Sequence, residues 1–146
     1  MTAADRCFVD SNIWIYAATQ SEDAPPDPRH EAARALIKQI QPHISVQVIN
    51  EVSFNLIKKF RFTELDIQAL VKSFYQTYVV CPMIDEAILL TASGVRQRYN
   101  LSFWDSMIVS TALQSQCSVL YTEDMGHGLV VHDVLTLVNP FHELAK

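Results

Sequence analysis

Short apolar stretches alternate with longer segments in which apolar residues recur every three or four positions, and the alternation runs along most of the chain. The short stretches predict strands at residues 7–9, 43–46, 79–81, 119–121 and 129–132. The longer ones predict helices at 12–18, 29–39, 48–59, 64–77, 85–99 and 103–114. In the third helix Val48, Val52 and Leu56 fall on one stripe at four-residue spacing, as a core-facing helix requires. Thr63-x-x-Asp66 and Ser102-x-x-Asp105 have the form of capping boxes and mark two helix starts. Strands alternating with helices argue for an α/β domain with a parallel sheet flanked by helices. Pro25, Pro26 and Pro28 fall in a loop that stops the first helix, and Pro28 suits an early position of the second.

Composition narrows the class. At 146 residues the chain is long enough for one domain with a genuine core, 1–146, and 49% apolar with 18% charged residues describes an ordinary globule. No apolar run approaches the roughly 18 residues that span a bilayer, so no membrane partner is expected. Residues 1–6 have neither the basic start nor the apolar centre of a signal peptide, which points to the cytoplasm. Cys7, Cys81 and Cys117 are far apart in apolar surroundings and read as buried reduced thiols. A net charge of −5 argues against a protein that coats nucleic acid by bulk electrostatics. It leaves room for an enzyme with a local basic patch. Lys58-Lys59-Phe60-Arg61 and Arg96-Gln97-Arg98-Tyr99 each mix cations with an aromatic, which suits phosphate contact and base stacking. Both also suit solvated helix ends, where cations complement the dipole.

The acids carry the chemistry. Asp10 closes the first strand, where a side chain points into the crevice in which open α/β sheets bind ligands. Asp124 follows the strand 119–121 in the same way. Glu51 and Asp105 lie near the starts of two predicted helices. Each has an ordinary explanation: Asp10 could cap a helix, Asp105 could complete the Ser102 box, Asp124 could belong to a polar loop, and Glu51 could face solvent. Together they open toward one edge of a parallel sheet. Like charges gathered there repel unless a cation joins them, so function explains the cluster better than stability does. Four acids without a Gly-rich loop or a His/Cys set suit hard divalent cations.

Phe8-Val9-Asp10-Ser11-Asn12, Asn50-Glu51, Phe103-Trp104-Asp105-Ser106 and Leu120-Tyr121-Thr122-Glu123-Asp124, with a closing Asn139-Pro140-Phe141, together resemble the PIN-domain ribonucleases, especially the VapC-type toxins of bacterial toxin–antitoxin pairs. The resemblance implies a PIN-like three-layer sandwich with a five-stranded parallel sheet, Mg²⁺ or Mn²⁺ as cofactor, and endonucleolytic cleavage of RNA. It maps Asp10, Glu51, Asp105 and Asp124 onto the family's acidic, metal-holding positions and Thr122 onto its hydroxyl position. Asp124 is preferred to Glu123 because it keeps the Thr-x-Asp spacing. Asn12 and Thr122 are expected to hydrogen-bond a carboxylate or the scissile phosphate, and Lys58, Lys59 and Arg61 to hold the RNA backbone. A cognate antitoxin and a homodimer are the implied partners. Trp14 and Tyr16 could line a partner groove or belong to the core. The alternatives are a PIN-like module that only binds a partner, a phosphatase of the haloacid-dehalogenase type, and a receiver domain. The phosphatase would need Asp where Asn12 stands. The receiver would need Lys after its last strand, where residues 129–132 are followed by Asp133.

Overall fold

The computed structural model describes residues 6–20, 25–81 and 84–145. Strand β1 (Cys7–Val9) leads into helix α1 (Ser11–Ala18), and α2 (Pro28–Gln39) is followed by β2 (His43–Ser45) and α3 (Val46–Phe60). Helix α4 (Glu64–Thr77) precedes β3 (Val79–Cys81), and α5 (Glu86–Tyr99) and α6 (Phe103–Gln114) follow. Strands β4 (Val119–Tyr121), β5 (Val130–Val131) and β6 (Leu135–Val138) and a 3-10 turn, His142–Ala145, come last.

The strands form one sheet in the order β3-β2-β1-β4-β6-β5. Every neighbouring pair is parallel except β5 with β6. The sheet therefore has six strands where five were expected, five of them parallel and one antiparallel at the edge. The sixth, β6, alternates buried Leu135 and Leu137 with half-buried Thr136 and Val138. The stretch expected as a single last strand supplies only the two residues of β5. Between β5 and β6, His132 and Asp133 both adopt left-handed backbone (φ 52° and 56°), and Val134 N–H donates to Val131 O at 3.1 Å. Two successive left-handed residues mark a primed turn, here made without the usual Asn-Gly, and because Val131 pairs with Leu135 the loop between the strands is three residues, 132–134. Tyr99 braces it, its hydroxyl accepting from His132 N–H at 2.8 Å.

Helix starts follow their caps. Asp10, Asp27, Ser45, Thr63, Asp85 and Ser102 each accept a backbone N–H of the helix they begin. Ser45 turns β2 into α3 with no loop, so Val46, expected in the strand, is helical. Val48, Val52 and Leu56 are buried together as the stripe predicts, in one core with Phe8, Ile44, Leu120 and Leu137. Trp14 joins that core: its indole donates to Val9 O at 3.1 Å and meets Phe74 and Tyr78 edge-on. Ile88, Ala92 and Met107 form a smaller cluster between α5 and α6. Phe141 is buried against Tyr16, and its N–H caps onto Asn139, so the end of the chain is pinned to the body. All three cysteines are buried thiols, and burial pushes Cys7 up to about 11 and Cys117 up to about 12.

Candidate active site

From the central pair β1 and β4 the chain order runs outward both ways, through β2 and β3 on one side and β6 on the other. At such a switch point the crossing helices diverge and leave a crevice beyond the carboxyl ends of the strands. Asp10 stands there, 4% exposed. Its N–H donates to Tyr121 O at 2.9 Å, which continues the β1–β4 ladder. Its Oδ1 accepts Ser11 N–H at 2.7 Å and so caps α1; its Oδ2 accepts the Thr122 hydroxyl at 2.9 Å. Thr122 is buried, and its oxygen in turn accepts Asp124 N–H at 3.4 Å. Asp124 then takes the Asn12 amide on Oδ2 at 2.9 Å. One hydroxyl and one amide thus tie both strand-end acids together across the sheet.

The helix acids reach the crevice from the other side. Burial, above all, pushes the Asp10 carboxyl up to about 6, and the charges of Glu51 and Asp105 add to the rise against the opposing Ser11 and Thr122 hydrogen bonds. Glu51 lies in the second turn of α3, where Gln47 Nε2 donates to its Oε1 at 2.9 Å. The same Nε2 donates to Trp104 O at 3.3 Å and links the start of α3 to the start of α6. The expected Ser102 capping box is half formed. Asp105 N–H donates to Ser102 Oγ at 3.2 Å, whereas the reciprocal carboxylate bond closes only in the Thr63–Asp66 box. The Asp105 carboxylate is thus not taken up by the cap, and its charge is felt by Asp10.

Glu123 points elsewhere. Its carboxylate takes the Tyr16 hydroxyl at 2.8 Å and the Arg29 guanidinium at 3.2 Å, and Arg29 lies 4.4 Å over the Tyr16 ring. Of the expected cations, Lys58 shares a face of α3 with Glu51, two turns on, and lies 5.5 Å over the exposed Phe54 ring. Lys59 is exposed in that last turn, and Arg61 is the left-handed residue that ends the helix. None of the three reaches the carboxylates. In the second basic stretch Arg96 is engaged on Phe103 and Ser106 and Arg98 on Tyr99, which is a structural role.

Among the described residues no three His, Cys, Asp or Glu side chains converge closely enough to enclose an ion by themselves. The oxygen donors nevertheless fit a hydrated hard cation held through one or two carboxylates, the usual way of binding Mg²⁺. Two buried amide oxygens beside the acids, Asn12 Oδ1 and Gln47 Oε1, have no protein partner, although the nitrogen of each amide donates to a neighbouring oxygen. Such acceptors are costly unless a donor such as ordered water reaches them.

Residues 7–128 match the model of the PIN domain. The chain belongs to the PIN domain family. Membership places it in a class of phosphodiester-hydrolysing nucleases. Three solved structures are similar to this PIN domain over nearly their whole length or most of it. A toxin–antitoxin complex from Klebsiella pneumoniae shares 20% identity at a TM-score of 0.67, over 92% of this chain and 97% of that one. FitAcB from Neisseria gonorrhoeae shares 15% at 0.62, over 93% and 99%. VapC20 from Mycobacterium tuberculosis, described as a sarcin–ricin loop cleaving toxin, shares 17% at 0.60, over 78% and 86%. At these identities the likeness concerns the fold. Sequence comparison with curated proteins gave no significant match.

Two residues of this PIN domain's site escaped the sequence reading. Gln47 sits four residues before Glu51, a spacing that brings helical side chains together, so its contact was open to inference. Trp104 neighbours Asp105 in sequence, but its link to Gln47 spans 57 positions and carries no sequence signal.

Proposed function

We propose that this PIN domain is a metal-dependent endoribonuclease that hydrolyses RNA phosphodiester bonds with Mg²⁺ or Mn²⁺, and that it is the VapC-type toxin of a toxin–antitoxin pair acting in the cytoplasm. The observation that carries the reading is the buried Asp10 at the switch point, hydrogen-bonded to Thr122 and repelled by Glu51 and Asp105. Asp10 and Asp105 would hold the ion directly, with Glu51 and Asp124 completing its surroundings through water. Bound there, it would supply an activated water and neutralise charge on the phosphate oxygens. The chain does the rest. Thr122 fixes the rotamer of Asp10 and Asn12 that of Asp124. Gln47 aims Glu51, whose carboxylate would orient the attacking water. Burial of Asp10 strengthens each of these interactions.

The similar structure described as a toxin–antitoxin complex supports a protein partner. A groove of about 290 Å³ between α1, α2 and α4, lined in part by Trp14, Ile37, Leu70 and Phe74, suits an apolar segment of an antitoxin. A homodimer remains the expectation for the free toxin. The test is a gel assay on single-stranded and looped RNA. Cleavage is expected with Mg²⁺ or Mn²⁺ and is lost in excess chelator. Cleavage undiminished by chelator would reject the metal mechanism, and a folded chain inert with both ions would leave a partner-binding module.

A further inference from the structure

Beside Glu51 the surface opens into a groove of about 740 Å³ lined by Val46, Gln47, Asn50, Glu51, Ile84 and Trp104. Trp104 is 64% exposed, although tryptophan is a side chain that folding usually covers. A relay of contacts holds it out. Phe103 meets the indole edge-to-face at 5.0 Å, and the Arg96 guanidinium lies 4.3 Å over the Phe103 ring. Arg96 is itself fixed to Ser106 Oγ at 2.8 Å. On the other side Gln47 ties Trp104 O and Glu51 with a single nitrogen. The aromatic wall and the carboxylate edge of the groove are therefore set by the same amide.

We propose that this groove receives one unstacked nucleobase of the RNA strand beside the scissile phosphate, with the base stacked on Trp104 and its edge toward Gln47 and Asn50. The proposal deepens the ribonuclease reading and rests on it. Three features favour a base. Glu51 belongs to both the groove and the carboxylate group, and Trp104 directly precedes Asp105, so a base seated here carries its sugar and phosphate to the acids. Aromatic walls beside amide edges are the means by which proteins read splayed single-stranded RNA, because an amide offers a donor and an acceptor at once. A protein surface seated here would have to bury the Glu51 carboxylate against its apolar area, which is costly without a paired charge. Beyond Glu51 on the same face of α3, exposed Phe54 and Lys58 offer the strand a second ring and a cation.

The chain has two tryptophans, and Trp14 is buried, so quenching by a base reports on Trp104. Wild-type fluorescence is titrated with nucleosides and, as the base-free control, ribose, without divalent ions. Saturable quenching by nucleosides and none by ribose is expected, and the nucleoside quenching should vanish in Trp104→Phe and Trp104→Ala, which leave only the buried emitter. Linear, non-saturating quenching means random collision and overturns the proposal. On RNA, Trp104→Ala should raise KM roughly tenfold or more with kcat little changed, since one stacked base is worth about a decade in affinity. Trp104→Phe should recover most of the loss. An unchanged KM, or a wild-type dimer that Trp104→Ala splits without altering KM, makes the groove a contact between copies and overturns the proposal. A wild type that binds nucleosides saturably yet cleaves no RNA sinks the ribonuclease reading and leaves the base site standing.

Discussion

Asp10 serves two masters, and its two oxygens divide the work. One caps α1 through Ser11 N–H; the other holds Thr122 in the crevice. Its folded carboxyl sits at about 6 against an ordinary value of 3.8, chiefly because it is buried. A raised acid favours the folded state only while protonated. Stability from this group is therefore present below about pH 4 and is lost as pH rises through about 6, to the extent of about 3 kcal/mol. In chelator, wild-type melting should fall more steeply than that of Asp10→Asn between pH 4 and 7, and the amide variant should be the more stable at neutral pH. Parallel melting curves would show that the charge costs nothing. The adjacent acids at the end of β4 offer a second comparison. Glu123 is occupied by Tyr16 and Arg29, whereas Asp124 faces Asn12 and Thr122. Asp124→Asn should lower kcat/KM roughly 10- to 100-fold, as loss of a metal-orienting group does. Glu123→Gln should cost about 1 kcal/mol in unfolding and far less in rate. The reverse order would transfer the site role to Glu123. The Thr-x-Asp spacing already favoured Asp124, but only the structure shows why Glu123 is spent, since Tyr16 and Arg29 lie 107 and 94 positions away.

At the scale of elements, local chemistry was readable and long-range pairing was not. Residues 64–77 and 103–114 form helices with the expected limits because caps at Thr63 and Ser102 are short-range signals. The missing strand, Leu135–Val138, is fixed by its parallel partner β4, and its turn uses His132-Asp133, which tolerate left-handed backbone but lack the glycine of a strong hairpin signal. It also removes the basis for placing a last strand at 129–132, although Asn139, which follows β6, is no more a lysine than Asp133. Helix α3 carries the most consequential element-level pattern. Gln47, Glu51, Phe54 and Lys58 recur at spacings of four, three and four, which puts them on one face. If RNA lies along that face, Ala at Lys58, Lys59 and Arg61 together should flatten the slope of log affinity against log salt. Each single-strand phosphate contact contributes roughly 0.7 to that slope, so the loss should not exceed about 2. Lys58→Ala alone should account for more of it than Lys59→Ala, which lies off the face. An unaltered slope would return all three cations to a solvated helix end.

For the molecule as a whole, the switch point sets function against stability. The strand order that opens a crevice beyond β1 and β4 also forces Asp10 into a buried position where Glu51 and Asp105 repel it. Asn12 and Gln47 compound the cost by leaving buried amide oxygens without donors. A hydrated divalent ion at the proposed site would remove both penalties at once, by joining the carboxylates and by bringing water to the amides. Because the unfolded chain has no such site, binding appears directly as folding stability: an ion at about 100 times its Kd adds about 2.7 kcal/mol. For a domain of this size that corresponds to a rise in Tm of roughly 5–10 °C. The increment should shrink in Asp10→Asn and again in Asp105→Asn, while Glu123→Gln, whose carboxylate lies outside the crevice, should keep it whole. Melting curves with Mn²⁺, with Mg²⁺ and with chelator decide the matter. A wild type indifferent to both ions would mean that the crowded carboxylates are not a cation site. An equal gain in wild type and Asp10→Asn would place the ion somewhere other than the end of β1.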